Sequence, residues 1–540
     1  MIKMKNLRNV GRHIFPVAIL ILLTISVSGQ TNRGNITGVM KYNSLIQMIK
    51  FAYVDSVNEA KLVDKAIVET LKELDPHSTY ISKKDLSRAN EELVGNFEGI
   101  GVQFEILKDT INIVHPIPGG PSERLGILAG DKIIKIEGED VIGKKVTNQF
   151  VFDRLRGKKG TKVTIAIYRT GKKGLIDYTI VRDKIPINSI DAVYIIEPGI
   201  GYINLTRFSS TSMKEFTDAM TKLKEQGLKS LILDLRNNGG GYMNTAIELA
   251  DQFLPARKTI VYTQGRTSPR EDYYSTDRGD FENGKLVILI NENSASASEI
   301  VSGAIQDLDR GIIVGRRSFG KGLVQRPFQL PDSSEVRLTT ARYYTPSGRS
   351  IQKPYTEGVE KYYEDYALRY KHGEMEFSDS IKFPDSLKFH TSKGRVVYGG
   401  GGIMPDVFIP LDTTPITDYY LNLRRKNVIN LFNGNYIDKN RSELVKNYPD
   451  FDTFNKKFIV DDVFMKDVLA LADKLGVKMD EKQYALSESL IKSQIKASIA
   501  EKLWDITVYF KIMNHEDNEV QKAIGVIKND ALFDKLGLQR

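Results

Sequence analysis

The chain has 540 residues, 41% of them hydrophobic and 27% charged, with 77 Lys+Arg against 68 Asp+Glu and no cysteine. That composition supports a sizeable core, about three or four domains by length, and excludes a disordered, collagen-like or low-complexity chain. The absent cysteines exclude disulfides, thiolate nucleophiles, Cys-ligated metal sites and a cysteine-anchored lipoprotein, and the net charge of +9 includes no dense Lys/Arg block past the N-terminus that would support nucleic-acid binding.

In chain order, Lys3, Lys5, Arg8 and Arg12 precede an apolar run at 14–27, and Val27-Ser28-Gly29 then supplies small side chains. This is the layout of a secretory signal peptide over 1–29, cut after Gly29. An uncleaved anchor is the second reading, but the run is shorter than the ~20 residues a membrane span needs. Losing those four basic residues takes the net charge from +9 to +5, an ordinary surface. The expectation is an exported protein, periplasmic or on the outer face of the inner membrane, with at most peripheral membrane contact.

Residues 36–95 read as a helical region. Leu45, Met48, Ile49 and Ala52 fall at helical spacing, as do Ala66, Ile67, Leu71 and Leu74. Asp75-Pro76-His77-Ser78 breaks the pattern, and His77 is expected to satisfy backbone groups at a helix end rather than to act as a base. From 96 to 184 the texture changes to short strands and glycine turns. The series runs from Phe97-Glu98-Gly99-Ile100-Gly101-Val102 through Gly120-Pro121-Ser122 and Leu128-Ala129-Gly130-Asp131 to Leu155-Arg156-Gly157 and a strand at 161–168. In this order the landmarks resemble a PDZ domain. Gly99, Ile100, Gly101 and Val102 would converge their backbone amides on a peptide's terminal carboxylate while the next strand pairs with the peptide. Arg156 is a candidate for coupling that domain to its neighbour, with a plain surface ion pair as the bland alternative.

Residues 185–413 read as an α/β core. A strand at 200–205, a helix at 212–225 and a continuous apolar strand at 231–235 lead into Arg236-Asn237-Asn238-Gly239-Gly240-Gly241, and a helix follows at 245–253. The plan repeats with a strand at 286–290, the turn Asn291-Glu292-Asn293 and a helix at 296–308, an alternation that argues a covered parallel sheet. The Tyr-rich charged stretch 355–390 reads as a surface insertion, and 414–540 as a helical, charged extension.

Two segments carry chemistry. Ser294-Ala295-Ser296-Ala297-Ser298-Glu299 sits at a strand-to-helix turn, where a serine is exposed and the following amides point at whatever bonds its oxygen. The bland reading is a capping box of Ser296 with Glu299. Ser318-Phe319-Gly320-Lys321-Gly322-Leu323-Val324-Gln325 sets a lysine between glycines before an apolar strand. A lysine held in an apolar site has a lowered pKa and takes a proton from serine. Lys321 and Gln325, four apart, would share a face on an extended strand. No two of His77, His115, His372, His390 and His515 have metal-ligand spacing, and no cofactor is implied.

Together these segments, from Leu74-Asp75-Pro76-His77-Ser78 to Gly402-Ile403-Met404-Pro405-Asp406, resemble the C-terminal processing peptidases, or tail-specific proteases, in family order. The resemblance implies a multidomain α/β fold, with a crotonase/ClpP-like protease core, an inserted PDZ domain and helical N- and C-terminal regions. It implies a Ser–Lys serine endopeptidase. The family's nucleophile stands twenty-five positions before its lysine, which selects Ser296 over Ser294 and Ser298. Lys321 is then the general base and Gln325 orients its amine. The oxyanion hole combines the Ala297 amide with that of Gly240 or Gly241, although Gly239 stands where many members have proline. The partners implied are proteins with exposed C-terminal tails; an adaptor protein and a homo-oligomer stay open. A non-catalytic peptide-binding scaffold is the competing reading, and a crotonase-like acyl-thioester enzyme a third.

Overall fold

The structure, a computed structural model, describes residues 37–107, 109–143 and 145–538. The expected signal peptide lies outside the described residues. The chain divides into one unit up to Leu71 and a second from Lys72 onward. The first holds the helix Thr37–Ala52 and nearly all of the helix Glu59–Lys72, tied by a Lys50–Glu59 ion pair at 2.7 Å.

The centre of the second unit is a six-stranded sheet. Its strands run in the order Ile190–Glu197, Ile200–Leu205, Ser230–Asp234, Lys285–Ile290, Ile312–Gly315 and Val407–Phe408. Only the first pairing is antiparallel. Leu231, Ile232 and Leu233 are all fully buried, as a parallel strand covered on both faces requires. One face packs on the helices Ser212–Glu225, Met243–Asp251 and Ala297–Asp307 through Phe216, Met220, Leu249, Val301 and Ile305. The other face is covered from the far end of the chain. Val520, Ala523 and Ile524 of the helix Asn518–Lys528, with Phe533 of Asp530–Lys535, pack on Tyr202, Ile232, Val287 and Val314. Each such large aliphatic or aromatic side chain contributes roughly 1.5–3 kcal/mol when fully buried. The last helices are therefore a layer of the core, whereas residues 419–513 build a separate helical core around Phe454, Ile491 and Ile495.

A second sheet joins Leu323–Gln329 and Thr79–Ile81 to the strand Glu335–Tyr344, which also pairs with Thr259–Gln264. A piece of the region expected to be helical is thus a strand of this sheet. The PDZ-like segment is a five-strand path, Val102–Leu107, Thr110–Pro116, Lys132–Ile136, Lys162–Tyr168 and Ile176–Val181, around Ile111, Ile133, Val151 and Ile165. It leaves and rejoins the chain through the antiparallel stem Asn96–Gly99 with Asp183–Pro186, the geometry of an insertion.

The stretch 355–390 is exposed along most of its length, as a surface insertion should be, but it is anchored in the fold. In its helix Val359–Lys371, Tyr362 and Arg369 are buried, and Arg369 donates to the carbonyls of Arg317 (2.6 Å) and Ser318 (3.1 Å). A Tyr-rich charged sequence reads as solvent-exposed until its partners are known. Here the partners are the carbonyls of the loop before Lys321.

Candidate active site

Three adjacent parallel strands end side by side at Asp234, Ile290 and Gly315, so the loops that follow them meet at the carboxyl edge of the sheet, where open α/β sheets carry their sites. These are the glycine loop 236–241, the serine turn 291–296 and the lysine loop 316–322.

In the serine turn the three hydroxyls have different surroundings. Ser294 is fully buried and its Oγ donates to Leu235 O at 2.8 Å; Ser298, also fully buried, donates to Asn238 O at 2.8 Å. Ser296 is only half-buried and forms a capping box with Glu299 at the helix start, but its hydroxyl proton goes to no acceptor among the described residues. Its backbone stands at φ 55° and ψ −111°, a left-handed setting unusual for a residue with a Cβ.

Glu299 does more than cap. Fully buried, its Oε2 accepts from the amides of Ser296 (2.8 Å) and Lys321 (2.9 Å), and its Oε1 from Ser318 Oγ (2.5 Å) and Gly320 N–H (2.7 Å). Burial pushes its carboxyl up to about 7 against the pull of those donors. On the opposite side, the buried Tyr343 hydroxyl reaches the carbonyls of both Lys321 (2.6 Å) and Ser296 (3.1 Å). Two side chains thus clamp the same pair of residues, one by their amides and one by their carbonyls. Tyr343 was missed in the sequence, although alternate burial of Ala341 and Tyr343 is a legible period of two.

Burial lowers the pKa of the Lys321 amine; the carboxylates of Glu299 and Asp75 pull it back up, and Arg337 adds to the lowering. Gln325 is not on Lys321. The ladder begins only at Leu323, so the alternation that would give the two residues one face does not extend back to Lys321. Gln325 faces Thr339 instead, donating to its Oγ1 at 3.1 Å, and that hydroxyl donates to Asp75 Oδ1 at 3.1 Å. The turn after Leu74 also belongs to the site. Asp75 accepts from Ser78 Oγ (2.6 Å) and from the amides of His77 and Ser78. The His77 ring meets the Tyr362 hydroxyl at 2.8 Å, and burial together with the charge of Lys321 lowers its pKa to about 4.

Gly240, at φ 100°, lies so close to the serine that a Cβ there would stand 2.9 Å from Ser296 Cβ and 3.0 Å from Ala297 N. Its own N–H, however, donates to Asn238 Oδ1 at 2.9 Å, so the expected oxyanion donor is engaged in this conformation. The Asn238 side chain folds back two residues to take it. The amides of Ala297 and Gly241 make no hydrogen bond among the described residues.

In the PDZ-like segment, the edge strand Val102–Leu107 has a sheet neighbour on one side only. Beside it runs an apolar groove of about 390 Å³, lined by Ile100, Phe104, Val151, Phe152 and Leu155 among others. The N–H groups of Ile100 and Gly101 make no hydrogen bond among the described residues. Arg156 lies at the groove's end, ion-paired to Glu91 and set over the rings of Phe152 (4.4 Å) and Phe97 (4.6 Å).

A family model for peptidase family S41 matches residues 199–364, one for PDZ domains matches 99–180, and one for a family of unknown function matches 419–505. The carboxy-terminal-processing protease of Bartonella bacilliformis is 36% identical over 63% of this chain and 78% of its own length. The carboxy-terminal processing protease CtpA of Bacillus subtilis is 36% identical over 61% and 72%. The chain belongs to peptidase family S41. Among solved structures, a photosystem II D1 C-terminal processing protease is 26% identical over 68% of this chain and 86% of that one, with a TM-score of 0.34. As a family member this chain is a serine peptidase of the C-terminal processing kind, α/β in its core and carrying a PDZ domain.

Proposed function

We propose that the peptidase takes exported proteins by their C-terminal tails in the PDZ groove and cleaves them with Ser296 as nucleophile and Lys321 as general base. The observation that carries the assignment is the contrast among three neighbouring serines: Ser294 and Ser298 donate their hydroxyl protons to buried carbonyls, whereas Ser296, half-buried in its capping box beside the lysine loop, donates its own to none among the described residues. Neutral Lys321 Nζ takes the Ser296 proton as Oγ attacks the scissile carbonyl carbon. The oxyanion that forms is stabilised by the Ala297 N–H and a second amide, that of Gly241, or of Gly240 once it leaves Asn238. Collapse breaks the C–N bond, the lysine ammonium returns its proton to the leaving amine, and water hydrolyses the acyl-enzyme by the same base. Gln325 acts at one remove, through Thr339 and Asp75, on the charge that surrounds the lysine.

The deciding experiment is cleavage of an unfolded test protein with a free apolar tail by wild type, Ser294→Ala, Ser296→Ala, Ser298→Ala and Lys321→Ala. Ser296→Ala and Lys321→Ala should each lose nearly all activity, because nucleophile and base act as one unit. An active Ser296→Ala would end the assignment.

A further inference from the structure

The three loops of the site are tied together from behind by the far end of the chain. Arg236 opens the glycine loop, where its Nε and NH2 bind Asp234; its NH1 turns outward to Asp517 (2.9 and 3.1 Å) and to Glu519 Oε2 (3.1 Å). Arg316 opens the lysine loop. It binds Glu292 of the serine turn at 2.9 Å through Nε and Glu519 Oε1 through NH1. One carboxylate, Glu519, therefore gives one oxygen to each loop's arginine, and the second arginine also holds the third loop. Of the six side chains in this Arg–acid contact, all but Asp517 are largely buried, with Arg316 at 4% and Glu519 at 13% exposure. The loops also lock onto one another: Asn291 Oδ1 accepts from Asn237 N–H at 2.9 Å, and Ala295 N–H donates to Asn238 O at 3.0 Å. A shift of Arg236 or Arg316 would reach Gly240, Ser296 and Lys321 through a few bonds each.

We propose that Asp517 and Glu519, the cap and first-turn acid of the helix Asn518–Lys528, are positioning residues for peptide-bond cleavage. Through Arg236 and Arg316 they fix the relative setting of the loops that carry Gly240, Ser296 and Lys321. This rests on the assignment of Ser296 and Lys321 above. It gives the end of the chain, which lies outside both the peptidase match and the match at 419–505, a part in the reaction beyond covering the sheet. Buried paired charges suit the task, because an arginine fork holds a carboxylate in a fixed plane and either partner left alone is strongly disfavoured.

The test uses the full chain. Glu519→Gln keeps the shape but leaves one acceptor oxygen for two arginines, so the bridge must fail on one side. Its kcat should fall about ten- to a hundredfold with KM for the tailed substrate nearly unchanged, as a misplacement of reacting groups does. Asp517→Asn, which meets Arg236 but not Arg316 and keeps a side-chain oxygen to cap the helix on the amides of Glu519 and Val520, should lose less in the same direction, and serves if Glu519→Gln folds poorly. Ile524→Ala weakens the same helix's packing without touching a charge; it should lower Tm and leave kcat, measured well below Tm, within twofold of wild type. The proposal is overturned if Glu519→Gln and Asp517→Asn keep wild-type kcat, or if Ile524→Ala loses kcat as they do, since the carboxylates would then act only through stability. Ser296→Ala, run alongside, separates the two ideas: dead Ser296→Ala with fully active Glu519→Gln sinks this inference alone, whereas active Ser296→Ala removes the assignment beneath it.

Discussion

Ser296 is held in a backbone region that disfavours any side chain, at a cost of about 1–3 kcal/mol, and it stays there because Glu299, Tyr343 and the adjoining Asn238 carbonyl contacts fix the turn on every side. Glycine adopts that setting without the Cβ penalty, although it loses more freedom on folding. Ser296→Gly should therefore be inactive like Ser296→Ala yet more stable than it, by up to about 1 kcal/mol; a urea midpoint equal to or below that of Ser296→Ala would remove the strain argument. Lys321 makes the complementary case. Its folded pKa lies below the ordinary lysine value of 10.5. The folded state thus releases the proton before the unfolded state does. Wild-type stability consequently rises with pH between the folded pKa and 10.5. Lys321→Met, which removes a charge desolvated by burial, should be inactive and at least as stable as wild type at pH 7. Its advantage in Tm should shrink as the pH is raised toward 10.5, and an advantage that grows with pH would contradict the sign. The same depressed pKa requires kcat/KM to rise with pH along a limb below 10.5 that does not belong to a histidine; a rate flat from pH 6 to 10 would refute Lys321 as the base.

At the scale of elements, what was legible depended on whether the deciding contact was local. The serine turn and the glycine loop follow apolar strands whose composition alone marks them as buried, and the parallel sheet then brings their ends together. The shared face expected for Lys321 and Gln325 presupposes a strand running back to the lysine, and where a ladder starts cannot be seen in one strand without its partner. The insertion helix, exposed along most of its length, has anchors the sequence does not mark. Tyr362 gives no sign in the sequence that its ring packs on His77 (centroids 5.3 Å) and Phe319 (5.9 Å), or that Lys353 reaches its face at 4.2 Å. That burial sets an expectation the surface reading would not. Tyr362→Ala should destabilise by about 3–5 kcal/mol, as large aromatic truncations in cores do, and cut activity with it. Tyr366→Ala, on the exposed side of the same helix, should stay within about 0.5 kcal/mol of wild type. Equal melting temperatures for the two variants would show that Tyr362 does not anchor the helix.

In the whole molecule, the site belongs to no single stretch of chain: Asp75 comes before the PDZ domain, Ser296 and Lys321 after it, and Glu519 from the last layer over the sheet. The PDZ order of landmarks was readable because its turns need glycines at fixed places, as at Gly101 with φ 73°. The C-terminal layer was not, because helices of ordinary charge content do not announce which sheet face they cover. The arrangement makes substrate choice separable from chemistry. An apolar groove beside an edge strand open on one side will add an extended tail as a further strand and bury its alternate side chains. The uncommitted amides of Ile100 and Gly101 then favour a negative end group, and an amidated tail carries no such charge. Amidating an otherwise identical substrate should accordingly lower kcat/KM by at least about tenfold, the loss expected when a charge-assisted hydrogen bond of about 1.5–3 kcal/mol is given up. Substitutions at the scissile bond that keep residue size should matter less. The loss should also appear mainly in KM, because the tail is bound alike before and during reaction. Equal kcat/KM for the free-acid and amidated substrates would show that the groove does not read the chain end.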